Sequence, residues 1–131
     1  MKALDTNVIV RFLTRDNAAQ HAAVLWRFEQ ARTAGEQFYV AVPVWAEASW
    51  VLTRIYGVDR GALLTALEAF SQLPVLAPSS AGFLRQCLTA AKATALDWPD
   101  VIVGMAAREA GCEATLSFDK QAAKSDLFEL L

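Results

Sequence analysis

The stretch Lys2-Ala3-Leu4-Asp5-Thr6-Asn7-Val8-Ile9-Val10-Arg11-Phe12-Leu13-Thr14 runs a short strand, Lys2 to Asp5, into a helix from about Asn7 to Thr14. The same strand-then-helix step recurs along the chain. Asn17 is placed to cap a second helix that reaches Ala34, with Gly35 as its stop. Val24, Leu25, Phe28 and Ala31 give that helix an apolar stripe. Gln37 to Val42, rich in aromatic and β-branched residues, reads as a second strand. Pro43 suits the first position of a third helix, which runs to about Tyr56 and stops at Gly57. Asp59 caps a fourth, whose inward stripe is Leu63, Leu64, Leu67 and Phe70. Pro74 to Ala77 is a short third strand, and Ser79 or Ser80 opens a fifth helix with Phe83, Leu84, Cys87, Leu88 and Ala91 inward. Asp97-Trp98-Pro99-Asp100 opens a sixth helix that ends near Gly111. Ala114 to Phe118 is a fourth strand, and the remainder holds a short helix and an edge strand at Leu127 to Leu131. Alternating strands and helices predict an α/β fold: a single three-layer α/β/α domain over residues 1–131, with a central, mostly parallel sheet of about four or five strands.

Composition agrees with a folded domain. Of 131 residues, 55% are hydrophobic and 20% charged, the balance of a globular chain and not of a disordered one. No apolar run approaches the ~20 residues of a membrane span. The opening Met1-Lys2-Ala3-Leu4-Asp5 lacks the pattern of a secretory signal, so the expected compartment is the cytoplasm. Cys87 and Cys112 form no CxxC or Cys/His cluster, which argues against a zinc site or disulfide framework and makes both expected buried thiols. The net charge is −2, from 12 basic and 14 acidic residues, which looks unsuited to nucleic acid. If four acids surround a cation, however, 12 basic residues face 10 acidic ones over the rest of the molecule. Arginine, the better phosphate ligand, outnumbers lysine eight to four.

The acids carry the chemistry. Asp5 ends the first strand and Asp119 follows the fourth. Glu47 lies one turn into the third helix, and Asp97 and Asp100 straddle the start of the sixth. In an open parallel sheet, ligands sit beyond the carboxyl ends of the strands, so this topology is expected to gather four or five carboxylates in one pocket. Carboxylates so crowded repel one another, and some take up protons unless a cation is present. Mg²⁺ or Mn²⁺ prefers such oxygen ligands and keeps several waters. It acidifies water for attack on a phosphodiester and neutralises charge on the phosphoryl oxygens.

Four segments resemble PIN-domain ribonucleases, and in particular the VapC toxins of bacterial toxin–antitoxin modules. They are Leu4 to Leu13, Glu47 within the Pro43 helix, Asp97-Trp98-Pro99-Asp100-Val101-Ile102-Val103, and Leu116-Ser117-Phe118-Asp119-Lys120. Their order and spacing cover about residues 2 to 124. The resemblance implies a PIN-like fold and a Mg²⁺- or Mn²⁺-dependent endoribonuclease. It assigns Asp5, Glu47, Asp100 and Asp119 to the acidic site, with Asp97 as an additional ligand or supporting acid. Asn7, Ser117 and the neighbouring Thr6 would support the site. It further implies an RNA substrate, single-stranded or looped, a homodimer, and inhibition by a cognate antitoxin protein. Arg11, Arg15 and Lys120 are candidate phosphate contacts.

Each residue also has a plainer reading. Asp5 can be a turn former, Asp97 a helix cap, Asp100 a first-turn acid that suits the helix dipole, and Asp119 a cap for the short helix. Trp98 is expected to pack, and Gly104, one turn past Asp100, to allow close approach. Two rival functions remain. In an aspartate-based phosphotransfer domain Asp5 would be the nucleophile, but the second acid of the common phosphatase pattern is replaced by Asn7. In a non-catalytic PIN-like binding module, the acidic pocket would hold a partner's arginine.

Overall fold

The computed structural model describes residues 1–131, which pack as two compact units, Met1–Leu84 and Arg85–Leu131.

In the first unit, β1 (Lys2–Ala3) pairs in parallel with β2 (Phe38–Tyr39), with Lys2 opposite Phe38 and Ala3 opposite Tyr39. The Leu4 N–H extends the ladder to the Tyr39 carbonyl at 2.9 Å. α1 (Thr6–Leu13) follows at once, because the Asp5 carboxylate accepts from the Thr6 N–H at 2.8 Å and so caps the helix. α2 (Ala18–Ala34) is capped by Asn17 on the Gln20 N–H at 3.0 Å and closed by Gly35 at φ 69°, a left-handed turn that glycine enters without strain. Its buried stripe is narrower than expected. Phe28 and Ala31 are buried, but Leu25 is 45% exposed. Leu25 lies about 100° round the helix from Val24, too far to share the Val24–Phe28–Ala31 face.

The second strand is also shorter than Gln37 to Val42, since Val42 already belongs to α3 (Val42–Arg54). No side chain caps α3, and Pro43 in its first turn presets the backbone instead. α4 (Arg60–Ser71) is capped by Asp59 on the Ala62 N–H at 2.8 Å and buries Leu63, Leu64, Leu67 and Phe70 as its spacing requires. Burying each such side chain stabilises by about 1.5–3 kcal/mol. The expected third strand is reduced to a single parallel bridge, Leu76 to Phe38, before α5 (Pro78–Ala93) begins. The core of this unit is aromatic. Phe12 stands 5.3 Å from Phe28 and 5.5 Å from Phe70, Phe28 stands 5.7 Å from Phe38, and the buried Trp45 meets Phe70 edge-on at 5.8 Å.

In the second unit, Cys87, Leu88 and Ala91 of α5 are buried, as are Trp98, Val101 and Ile102 of α6 (Trp98–Glu109). β3 (Thr115–Ser117) and β4 (Phe128–Leu130) pair in parallel, with Thr115 opposite Phe128 and Ser117 opposite Leu130. A 3₁₀ turn, Ala122–Lys124, connects them, and the Leu131 N–H donates to the Ser117 carbonyl at 2.9 Å. Gly104 is buried where α6 meets Leu127 and Phe128. Cys87 is a buried thiol, pushed up to about 12 by burial and then by Glu109. Cys112 is exposed, against expectation, because Gly111 at φ 94° turns the chain outward after α6.

The fold is thus a mixed α/β arrangement of six helices with parallel strands. The hydrogen-bonded strands form a two-stranded sheet in each unit, where alternation alone suggested a sheet of four or five. No helix is long and apolar enough to cross a membrane.

Candidate functional site

Each unit holds an acidic pocket. The first, of about 330 Å³, is lined by Asp5, Thr6, Asn7, Arg11, Glu47 and Tyr56, among others. Asp5 is there because the strand ends on it, and its capping bond fixes one carboxylate oxygen at the mouth of α1. Asn7 and Glu47 are exposed, and neither Asp5 nor Glu47 ion-pairs with a basic side chain. Thr6 is buried, and its hydroxyl has no hydrogen-bond partner. Leaving a buried hydroxyl unsatisfied costs about 1–3 kcal/mol, so this one weighs against the stability of the fold.

Arg11 is held in a network. Its Nε donates to Gln20 Oε1 at 2.7 Å, and its Nη1 to the Tyr56 hydroxyl at 2.9 Å and to Asp16 Oδ1 at 3.4 Å. The Tyr56 hydroxyl donates to Asp16 Oδ2 at 2.7 Å. That bond lowers the Asp16 carboxyl below the ordinary aspartate range, helped by Thr14 and Arg11. His21 lies 2.7 Å from the Arg11 carbonyl through Nδ1.

The second pocket, of about 450 Å³, is lined by Asp97, Asp100, Asp119 and Lys124, among others. Asp97 occupies the cap position of α6, yet its side chain makes no capping bond, so the carboxylate is not spent on the helix. Asp100 stands in the first turn of α6 and is partly buried. Burial, then Asp119, then Asp97 raise its carboxyl above the ordinary aspartate range. Asp119 is fixed by its own turn, where Oδ1 accepts from the Gln121 N–H at 2.8 Å and the Ala122 N–H at 3.2 Å. Ser117 orients the same turn, its hydroxyl accepting from the Asp119 N–H at 3.0 Å. Trp98 is buried beside these acids in sequence and packs, as expected. Arg15 and Lys120 are exposed.

The structure therefore places Asp5, Thr6, Asn7, Glu47 and Arg11 on one pocket and Asp97, Asp100 and Asp119 on another. Within neither unit do three or more His, Cys, Asp or Glu side chains stand together as a ready-made metal cage. The donor chemistry nonetheless fits a hard dication. Mg²⁺ is commonly held by one or two carboxylates plus waters, and both pockets offer acidic oxygens with no histidine or thiolate among their metal donors. The raised Asp100 is an acid whose ionisation a cation would relieve. Sequence reasoning missed Tyr56, Asp16 and Gln20 around Arg11, and Lys124 in the second pocket. Tyr56 is 45 residues from Arg11 and carries no local signal of that contact.

Residues 2–126 match the model of the PIN domain family. No curated protein and no solved structure matches the chain.

Proposed function

The chain belongs to the PIN domain family, whose members are generally nucleases that use divalent metals, and from that premise we propose that it is a Mg²⁺- or Mn²⁺-dependent endoribonuclease. The observation that carries the reading is that Asp97, Asp100 and Asp119 line one pocket, where burial and the other two acids raise the Asp100 carboxyl. Asp5 and Glu47 are the carboxylates that would hold a cation in one unit's pocket, and Asp100 and Asp119, with Asp97, those that would hold one in the other's. When bound, the cation supplies charge neutralisation at the scissile phosphate and a more acidic attacking water.

The chain's own residues do the rest. Ser117 and the Gln121 and Ala122 amides orient Asp119. The uncapped Asp97 carboxylate keeps its lone pairs for the site. Asn7 offers a neutral donor that can orient a water or a phosphate oxygen beside Asp5. Arg15 and Lys120 are candidate contacts for more distant phosphates.

The cell-biological part of the proposal is a cytoplasmic, homodimeric toxin paired with a cognate antitoxin. A partner that inserts arginine or lysine among the acids would replace the cation's charge and block turnover. Mn²⁺ and a basic peptide should then compete in calorimetry, and additive binding would count against that mode of inhibition.

Cleavage of RNA in Mg²⁺ by the wild type and by Asp5→Asn and Asp100→Asn tests the enzyme. Each substitution is expected to cost at least about 100-fold, the scale of losing one preorganised electrostatic contact to a transition state. Undiminished cleavage by both variants defeats the assignment.

A further inference from the structure

Arg11 shares its pocket with Asp5 and Glu47, yet it ion-pairs with neither. Guanidinium and carboxylate ordinarily form strong, often bidentate pairs, so an arginine beside two free acids has to be held away from them. Its donors are accounted for one by one. Nε is taken by Gln20, and both Nη1 protons are taken, one by Tyr56 and one by Asp16. Tyr56 gives its only proton to Asp16 Oδ2, so toward Arg11 it can act only as an acceptor. Asp16 is held in the charged form by this arrangement. Three of the five guanidinium N–H groups are thereby fixed, and the two on Nη2 have no protein partner. Ordering so long a side chain costs about 1.5–2 kcal/mol of rotamer entropy. The side chain is nonetheless 26% exposed, so it is not closed off from solvent.

Resting on the ribonuclease reading above, we propose that Arg11 grips a backbone phosphate of the RNA through its free Nη2 edge. Tyr56, Asp16 and Gln20 are positioning residues that hold the guanidinium off Asp5 and Glu47, so that these acids stay available for a cation. The bracket thus separates two jobs that would otherwise cancel, anion binding and cation binding on one small pocket.

The test uses the full chain and labelled single-stranded RNA. Binding is followed by fluorescence anisotropy without divalent metal, across a salt series. Mn²⁺ binding is followed by calorimetry, cleavage kinetics give kcat and KM, and a melting curve confirms the fold of each variant. Arg11→Ala is expected to weaken RNA binding about tenfold and to lower the slope of log K against log salt by about 0.7, the loss of one phosphate contact on a single strand. KM should rise by a similar factor with kcat little changed, and Arg11→Lys should recover part of the loss. Tyr56→Phe, which removes one hydroxyl and keeps the ring, is expected to weaken Mn²⁺ binding severalfold as the released guanidinium pairs with the acids. Should Arg11→Ala fail to fold, Arg11→Lys and Tyr56→Phe carry the same readouts. A wild type that cuts RNA, with variants that match it in salt slope, KM and Mn²⁺ affinity, overturns this proposal alone. A wild type that neither binds nor cuts RNA with Mg²⁺ or Mn²⁺ overturns the ribonuclease reading, and this proposal with it.

Discussion

A Cβ added at Gly104 would stand 2.9 Å from the Cβ of Leu127 and 3.1 Å from the Phe128 ring. The first of these atoms is fixed to the backbone, so an alanine at 104 must push α6 and the Leu127–Phe128 segment apart. Overpacking of this kind costs typically 1–3 kcal/mol. Alanine in a helix returns about 1 kcal/mol over glycine, which offsets part of that cost. Gly104→Ala is expected to destabilise by up to about 2 kcal/mol in urea unfolding, and a higher midpoint would refute the close contact.

Thr6 makes the opposite prediction for stability. Its hydroxyl is buried without a partner, so Thr6→Val removes an unsatisfied polar group and keeps the shape. The metal-free protein should gain up to about 1 kcal/mol, whereas metal-dependent cleavage should fall if that hydroxyl serves the pocket. Loss of stability with unchanged cleavage would assign Thr6 to the scaffold alone.

The raised Asp100 carboxyl links stability to pH and to metal. The unfolded chain gives up this proton at a lower pH than the folded chain does. Folding is therefore favoured by this group at low pH, and that contribution is lost as pH rises through the folded value. Asp100→Asn removes the penalty, so the metal-free variant should melt above the wild type at pH 7, with the difference vanishing at pH 3 and below. Mg²⁺ should raise the melting temperature of the wild type more than that of the variant. A variant that melts lower at pH 7 and still responds fully to Mg²⁺ would remove Asp100 from the site.

The two thiols should separate by reactivity. The buried Cys87, pushed up to about 12, has almost no thiolate at pH 8, while Cys112 is exposed. Native alkylation should add one group, at Cys112, and alkylation in denaturant should add two. Equal native labelling of both, read by mass spectrometry, would show that α5 opens readily.

What was legible in the sequence is what local chemistry decides. Asn17, Gly35, Asp59 and Pro43 mark helix ends through their own side chains or φ angles, and the structure puts the ends where they fall. The α4 stripe was readable because leucines at helical spacing have one face to bury. Strand extent was not, because pairing is settled by residues far away. Pro74 to Ala77 looks extended, yet only Leu76 finds a bridge, on Phe38. The acids could be named from their places at strand ends and helix starts. Their neighbours could not, since Arg11 meets Tyr56 across 45 residues and Asp16 joins from an unremarkable loop. Cys112 was misjudged because cysteine's usual burial says nothing of the turn at Gly111.

Ser117 works as a rivet with two heads. Its carbonyl takes the N–H of Leu131, the last residue here, and its hydroxyl takes the N–H of Asp119. A trim of Phe128 to Leu131 is therefore not a neutral edit. It removes a tie on the segment that aims a carboxylate two positions away, so activity lost in a shortened chain should be checked against the full one before any acid is held responsible.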